Sequence, residues 1–133
     1  MMSKHKYGAK RTICQSEHSH PSKAEAVRCD ELRLLRIAGQ ILNYDSQPER
    51  INLSGDAKVP IWYRPDFYVS TKSGEWYEEV KGAATDKLAS WRLKEKLWRL
   101  HGPCSLIVRG CKYGKNPQTF GKRRIPGRIG ESP

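Results

Sequence analysis

The chain has 133 residues, 37% of them hydrophobic and 29% charged, with a mean hydropathy of -0.77, which is one domain's worth of sequence around a single core. No stretch approaches the roughly 18 apolar residues of a membrane span, and the opening MMSKHKYGAK lacks the apolar run of a signal peptide, so a soluble, cytoplasmic protein is expected. The 25 Lys and Arg against 14 Asp and Glu leave a net charge of +11 and a pI near 9.7, which points to polyanionic partners.

Residues 1–11 form a basic arm, with Lys4, Lys6, Lys10 and Arg11 and no acid. Cys14, His18 and His20 follow, with Cys29 nine residues beyond. These hold enough sulfur and imidazole for a tetrahedral zinc site, yet no CxxC knuckle is present. Buried thiols with surface histidines satisfy the same pattern. The thiols, including Cys104 and Cys111, are expected to be reduced.

A helix is predicted over 22–38. Ser22-Lys-Ala-Glu25 reads as a capping box, Ala24, Val27, Leu35 and Ala38 recur with helical spacing, Leu32 and Leu34 widen the stripe, and Gly39 suits the C-terminal cap. Strand character follows at 41–44, at 50–53 and over 59–69, the last with Pro60 and Pro65, which suit an edge or irregular strand. Ser70 to Gly74 has turn chemistry, and 75–81 is expected to return as the second arm of a β-hairpin. A second helix is predicted from Thr85 to about His101. Leu93, Leu97 and Leu100 would line one side, with Trp91 and Trp98 beyond them, and Arg92, Glu95, Lys96 and Arg99 would face solvent. Lys94 falls on the inward side, where it either snorkels or reaches a site. A covered strand is expected over 104–108.

The tail 109–133 is rich in Gly, Pro, Lys and Arg, without periodicity, and is read as an extended arm. With +4 on residues 1–11 and +6 on 109–133, the unit 12–108 carries only +1. A near-neutral folding unit between basic ends is not a simple cationic coat. The fold class expected is α/β, a small mixed sheet flanked by helices.

Within the hairpin, Glu79 and Lys81 share a strand face, and Asp66 can lie alongside them. Carboxylates so placed repel unless a cation lies between them, and oxygen donors favour Mg²⁺ or Mn²⁺. Such a metal supports phosphodiester hydrolysis, with Lys81 holding the water or the phosphate. The same spacing also describes a surface cross-strand ion pair. Glu78 is expected to face the other way, as an exposed or partner-facing carboxylate. Trp62, Tyr63 and Tyr68 flank the motif and suit either base stacking or the core.

Pro65-Asp66 and Glu79-Val80-Lys81 resemble the signature of the PD-(D/E)XK nuclease superfamily. Lys6-Tyr7-Gly8, Ser22 to Ala26, Glu31-Leu32 to Ile41, Gln47-Pro48, Gly82 and Lys94 to Leu97 extend the likeness to a small bacteriophage family similar to Holliday junction resolvases, over about residues 6–108. The resemblance implies a restriction-endonuclease-like α-β-β-β-α-β core, with Asp66 and Glu79 as metal ligands and Lys81 as catalytic lysine. It also implies Glu25 as an additional catalytic metal ligand on the first helix, where the residues alone give only the cap. The function expected is a Mg²⁺- or Mn²⁺-dependent DNA endonuclease, acting on branched or Holliday junction DNA in a host cytoplasm and leaving 5′-phosphate and 3′-hydroxyl ends. A homodimer would place two sites on opposing strands, while 133 residues fit a monomeric nicking enzyme equally well. Lys94, Lys10, Arg11, Lys122, Arg123 and Arg124 are the expected DNA contacts. The alternative is a non-catalytic basic nucleic-acid-binding protein.

Overall fold

The computed structural model describes residues 11–81, 89–110 and 118–120. Two short strands, β1 (Thr12–Ile13) and β2 (Ser19–His20), pair as an antiparallel hairpin ahead of helix α1 (Lys23–Ile37). The helix starts where the cap chemistry places it, since Ser22 Oγ accepts from the Glu25 N–H at 3.2 Å. It ends in a Schellman arrangement. Gly39 N donates to Arg36 O at 3.1 Å and Gln40 N to Leu35 O at 3.0 Å, with Gly39 at φ +79, a conformation that costs a residue without Cβ nothing.

Five strands form the main sheet in the order β3 (Asn43–Ser46), β6 (Phe67–Thr71), β7 (Gly74–Lys81), β8 (Ser105–Gly110) and β9 (Gln118–Phe120). β7 and β8 are parallel and the other neighbours antiparallel. A parallel neighbour needs a crossover, and helix α2 (Ala89–His101) lies between β7 and β8 in the chain. The expected α/β class, with a small mixed sheet and two helices, is therefore observed. Among the described residues no helix is long and apolar enough to cross a membrane.

The stretch 59–69 is two strands, not one. Pro65 separates β5 (Trp62–Tyr63), which pairs with β4 (Ile51–Asn52), from β6 in the main sheet. Part of the tail is also a strand. β9 pairs with β8, with Leu106 opposite Phe120, so an extended arm describes 118–120 incompletely. The predicted beginning of the second helix at Thr85 lies outside the described residues.

Each sheet face has its own core. Ala26, Cys29 and Leu32 of α1 pack with Phe67, Val69 and Tyr44 on one face, while Trp91 and Trp98 of α2 pack with Tyr63, Leu106 and Val108 on the other. Each helix buries part of the predicted apolar stripe, Leu32 and Leu35 of α1 and Leu97 with the tryptophans of α2, and exposes the rest. On α1, Val27 and Leu34 are exposed and Glu25, Ala26, Arg28, Cys29 and Leu32 are buried. On α2, Leu93 and Leu100 are exposed while the two tryptophans are buried. The larger rings remove more apolar surface from water, and Trp98 also donates Nε1–H to Cys104 O at 2.8 Å.

Candidate active site

Register brings the hairpin carboxylates together. Phe67 pairs with Glu78, and the same register carried one residue further sets Asp66 opposite Glu79. The backbone locks this end of the hairpin. Asp66 N donates to Glu78 O at 3.0 Å, and Asp66 Oδ2 accepts from Val80 N at 2.7 Å. Strand alternation puts Lys81 on the face of Glu79, where its Nζ lies 3.3 Å from Glu79 Oε2 and 4.4 Å from the centroid of the Trp91 ring. A carboxylate on one side and a π face on the other hold the ammonium over the site. The other oxygen of Glu79 accepts from the Tyr63 hydroxyl, whose ring stands edge-on to Trp98.

Glu25 reaches the cluster from α1. Its backbone N–H serves the cap, and its carboxylate meets His20 Nδ1 at 3.3 Å. The Ser22 hydroxyl half of the predicted capping box is formed, whereas the Glu25 carboxylate that the box would turn back on the cap faces His20 instead. Glu25 is 3% exposed and Glu79 6%. Burial first, and then the charge of Glu79, push the Glu25 carboxyl up to about 7, against the pull of Arg11 and Lys81. Burial, then Glu79 and Glu25, and a hydrogen bond with Glu79 hold Asp66 well above the carboxylate range, against the Val80 N–H. The charge of Glu79 thus opposes ionisation of both Glu25 and Asp66. Hard oxygen donors of this kind are the type Mg²⁺ or Mn²⁺ takes, whereas the described side chains whose ligand atoms already gather as a metal group are Cys14, His18, His20 and Cys29.

Glu78 is not the exposed carboxylate expected. It is fully buried on the opposite face, where Arg28 grips it through Nε at 2.7 Å and Nη2 at 2.8 Å. Arg109 Nε adds 3.0 Å and Trp76 Nε1 2.9 Å. Burial alone would raise its pKa, but these donors, Arg28 foremost, hold it below the usual value. A buried carboxylate needs such partners, and Arg28, a turn beyond Glu25 on the inward face of α1, is the one the sequence reading overlooked. The i, i+3 spacing of Glu25 and Arg28 within a run that also buries Cys29 and Leu32 was the available signal.

The remaining residues are placed as follows. Lys94 is on the inward side of α2 and donates to Trp62 O at 2.7 Å, so it ties α2 to β5. Arg11 Nε donates to Ser19 Oγ at 3.1 Å. Lys10, Lys122, Arg123 and Arg124 lie outside the described residues, as do Gly82, Cys111 and the Lys6-Tyr7-Gly8 motif. Tyr63 belongs to the core, whereas Trp62 is 44% exposed beneath the Arg50 guanidinium, 4.0 Å from its centroid. Tyr68 is half-buried and its hydroxyl donates to Glu75. The roles missed in the sequence are those of Tyr63 and Trp91 toward Glu79 and Lys81; core packing was the only signal either residue gave.

Cys14 and Cys29 are buried free thiols. His18 is exposed but His20 is completely buried, so a pair of surface histidines does not describe this segment.

A family model described as "Protein of unknown function (DUF1064)" matches residues 4–115. No curated protein and no solved structure matches the chain.

Proposed function

Because the chain belongs to the DUF1064 family, whose description assigns no activity, its function has to be read from its own chemistry, and we propose a metal-dependent DNA endonuclease. The observation that carries this reading is the hairpin register that sets Asp66 opposite Glu79, with Lys81 Nζ 3.3 Å from Glu79 and the buried Glu25 carboxyl feeling the charge of Glu79. The succession α1, β3, β6, β7, α2, β8 supports a restriction-endonuclease-like core, and the net charge of +11 supports a nucleic-acid substrate.

In this reading Asp66, Glu79 and Glu25 hold Mg²⁺ or Mn²⁺, which when bound acidifies water and neutralises charge on the phosphate. Asp66 is fixed by the Val80 N–H and Glu79 by the Tyr63 hydroxyl, so both present preset oxygens. Lys81, steadied by Glu79 and Trp91, orients the attacking water or donates to the scissile phosphate. Basic segments at both ends of the chain supply affinity that does not depend on the site. Branched DNA in a host cytoplasm is the substrate to which the sequence resemblance points.

A cleavage panel of four-way junction, flap, single-stranded and linear duplex DNA with Mg²⁺ or Mn²⁺ tests the reading. Cutting with 5′-phosphate ends is expected, lost in Asp66→Asn and Lys81→Ala while DNA binding survives. Binding indifferent to Mg²⁺, with no cleavage of any substrate, would establish the non-catalytic alternative.

A further inference from the structure

We propose that Cys14, His18, His20 and Cys29 form a zinc site that pins the β1–β2 hairpin to α1. The ligand atoms these four residues offer all lie within 4.8 Å of one another. Tetrahedral zinc, with bonds of about 2.3 Å to sulfur and about 2.0–2.1 Å to nitrogen, sets its ligands about 3.8 Å apart for two sulfurs and about 3.6 Å for sulfur and nitrogen. Here the two sulfurs are 3.6 Å apart and His18 Nδ1 is 3.4 Å from Cys29 Sγ. The sulfur pair is well beyond the roughly 2.05 Å of a disulfide; its 3.6 Å is met both by a thiol–thiol hydrogen bond and by two ligands around a zinc ion.

The turn that presents the ligands is built before any metal arrives. Cys14 N donates to His18 O and Glu17 N to Cys14 O, both at 3.0 Å, and Glu17 takes a left-handed φ of 64. The Gln15 N–H donates to Asp30 Oδ1 at 2.8 Å, anchoring the turn beside Cys29 on α1.

A second observation is independent of the spacing. His20 is completely buried, its Nδ1 faces Glu25 Oε1 at 3.3 Å, and its Nε2 has no hydrogen-bond partner. A buried nitrogen without a partner is costly in a folded protein, and a metal bond would satisfy it. A carboxylate on the other ring nitrogen is the usual outer partner of a metal-bound histidine, fixing its tautomer. Two thiolates and two neutral imidazoles also balance the charge of Zn²⁺, so the closed site buries no net charge. Glu25 thereby joins two centres, as outer partner of His20 and as a member of the acidic cluster.

The site stands apart from the nuclease reading, and its test involves no DNA. Purified full-length protein is expected to retain one zinc per chain by elemental analysis. Cobalt replacement is expected to give the visible bands of a tetrahedral ion and a thiolate charge-transfer band. His18→Ala, which removes an exposed ligand without opening the core, is expected to weaken zinc at least tenfold while circular dichroism is unchanged. Glu25→Gln is expected to weaken it about 10–100-fold through the loss of the outer partner. A folded, reduced chain that retains no zinc and shows no tetrahedral cobalt bands would overturn the proposal, as would a zinc affinity that His18→Ala and Cys29→Ser both leave unchanged.

Discussion

Replacing Glu25 by Gln should change how stability depends on pH before any substrate is added. Its carboxyl is raised from 4.5 to about 7, by burial and then by Glu79. Between those values the native state holds a proton that the unfolded chain has released, so stability falls as pH rises through the window. A displacement of that size corresponds to about 3 kcal/mol, or on the order of 10 °C in melting temperature for a domain of this length. Asp66 is displaced in the same direction. His20, held below 6.5 by burial and then by His18, acts oppositely: its contribution is complete above pH 6.5 and is lost as pH falls. The informative quantity is therefore the difference between wild type and Glu25→Gln, because glutamine does not titrate. The assay is urea unfolding from pH 4.5 to 8 on both proteins at matched zinc content, without added Mg²⁺ or Mn²⁺. Wild type should lose about 3 kcal/mol more than the variant across the window. Mg²⁺ at ten times its Kd should return about 1.4 kcal/mol to wild type at pH 8. A pH-independent difference between the two proteins would refute the placement of Glu25 within reach of the Glu79 charge.

Asp66→Asn keeps an acceptor for the Val80 N–H and replaces a carboxyl whose ionisation burial and Glu79 oppose, so at pH 8 without divalent cation it should be at least as stable as wild type by urea unfolding, yet inactive in the cleavage panel. Glu78→Ala should cost about 3–5 kcal/mol, measured the same way, because Arg28, 8% exposed, loses the carboxylate it grips. Tyr63→Phe removes a buried hydrogen bond to a charged oxygen and should cost about 1.5–3 kcal/mol. At Gly110 an added Cβ would sit 1.9 Å from the Lys81 carbonyl oxygen; Gly110→Ala should force β7 and β8 apart, costing about 1–3 kcal/mol in chemical unfolding and lowering cleavage through displacement of Lys81.

The parts of the fold legible in the sequence are those fixed by local chemistry. Ser22 and Gly39 bound α1 because capping involves only nearest neighbours, and the Ser70 to Gly74 turn set the hairpin register that places Asp66 opposite Glu79. Burial was less legible, because it depends on partners distant in the chain. Arg28 is inside only because Glu78, fifty residues later, faces it, so of the predicted stripe Leu32 and Leu35 pack on the core while Val27 and Leu34 are left exposed. The prolines within 59–69 marked it as irregular, but the division at Pro65 depended on β4 taking β5 as its partner, a choice that lies outside the run. Of the candidate site, the hairpin residues could be read from period two alone, whereas the orientation of Glu25 required the buried His20, and the hold on Lys81 required Trp91.

Two neighbouring glutamates on β7 differ in how their surroundings answer their charge. Strand alternation sends Glu78 to the face of α1, where two arginines and an indole N–H satisfy its oxygens and hold its pKa below the usual value. It sends Glu79 to the opposite face, beside Asp66, with Lys81 and a tyrosine hydroxyl as its partners. Burial opposes charge on both faces. The first cluster answers it with cations built into the chain and is complete as it stands. In the second the charge of Glu79 opposes ionisation of Asp66 and Glu25, which are both held above their ordinary pKa values. An arginine in that place would stabilise the fold and close the site, whereas an exchangeable divalent cation neutralises the cluster and still leaves coordination positions for water and phosphate. The charge left unbalanced on one face of β7 is what makes that face a candidate for chemistry.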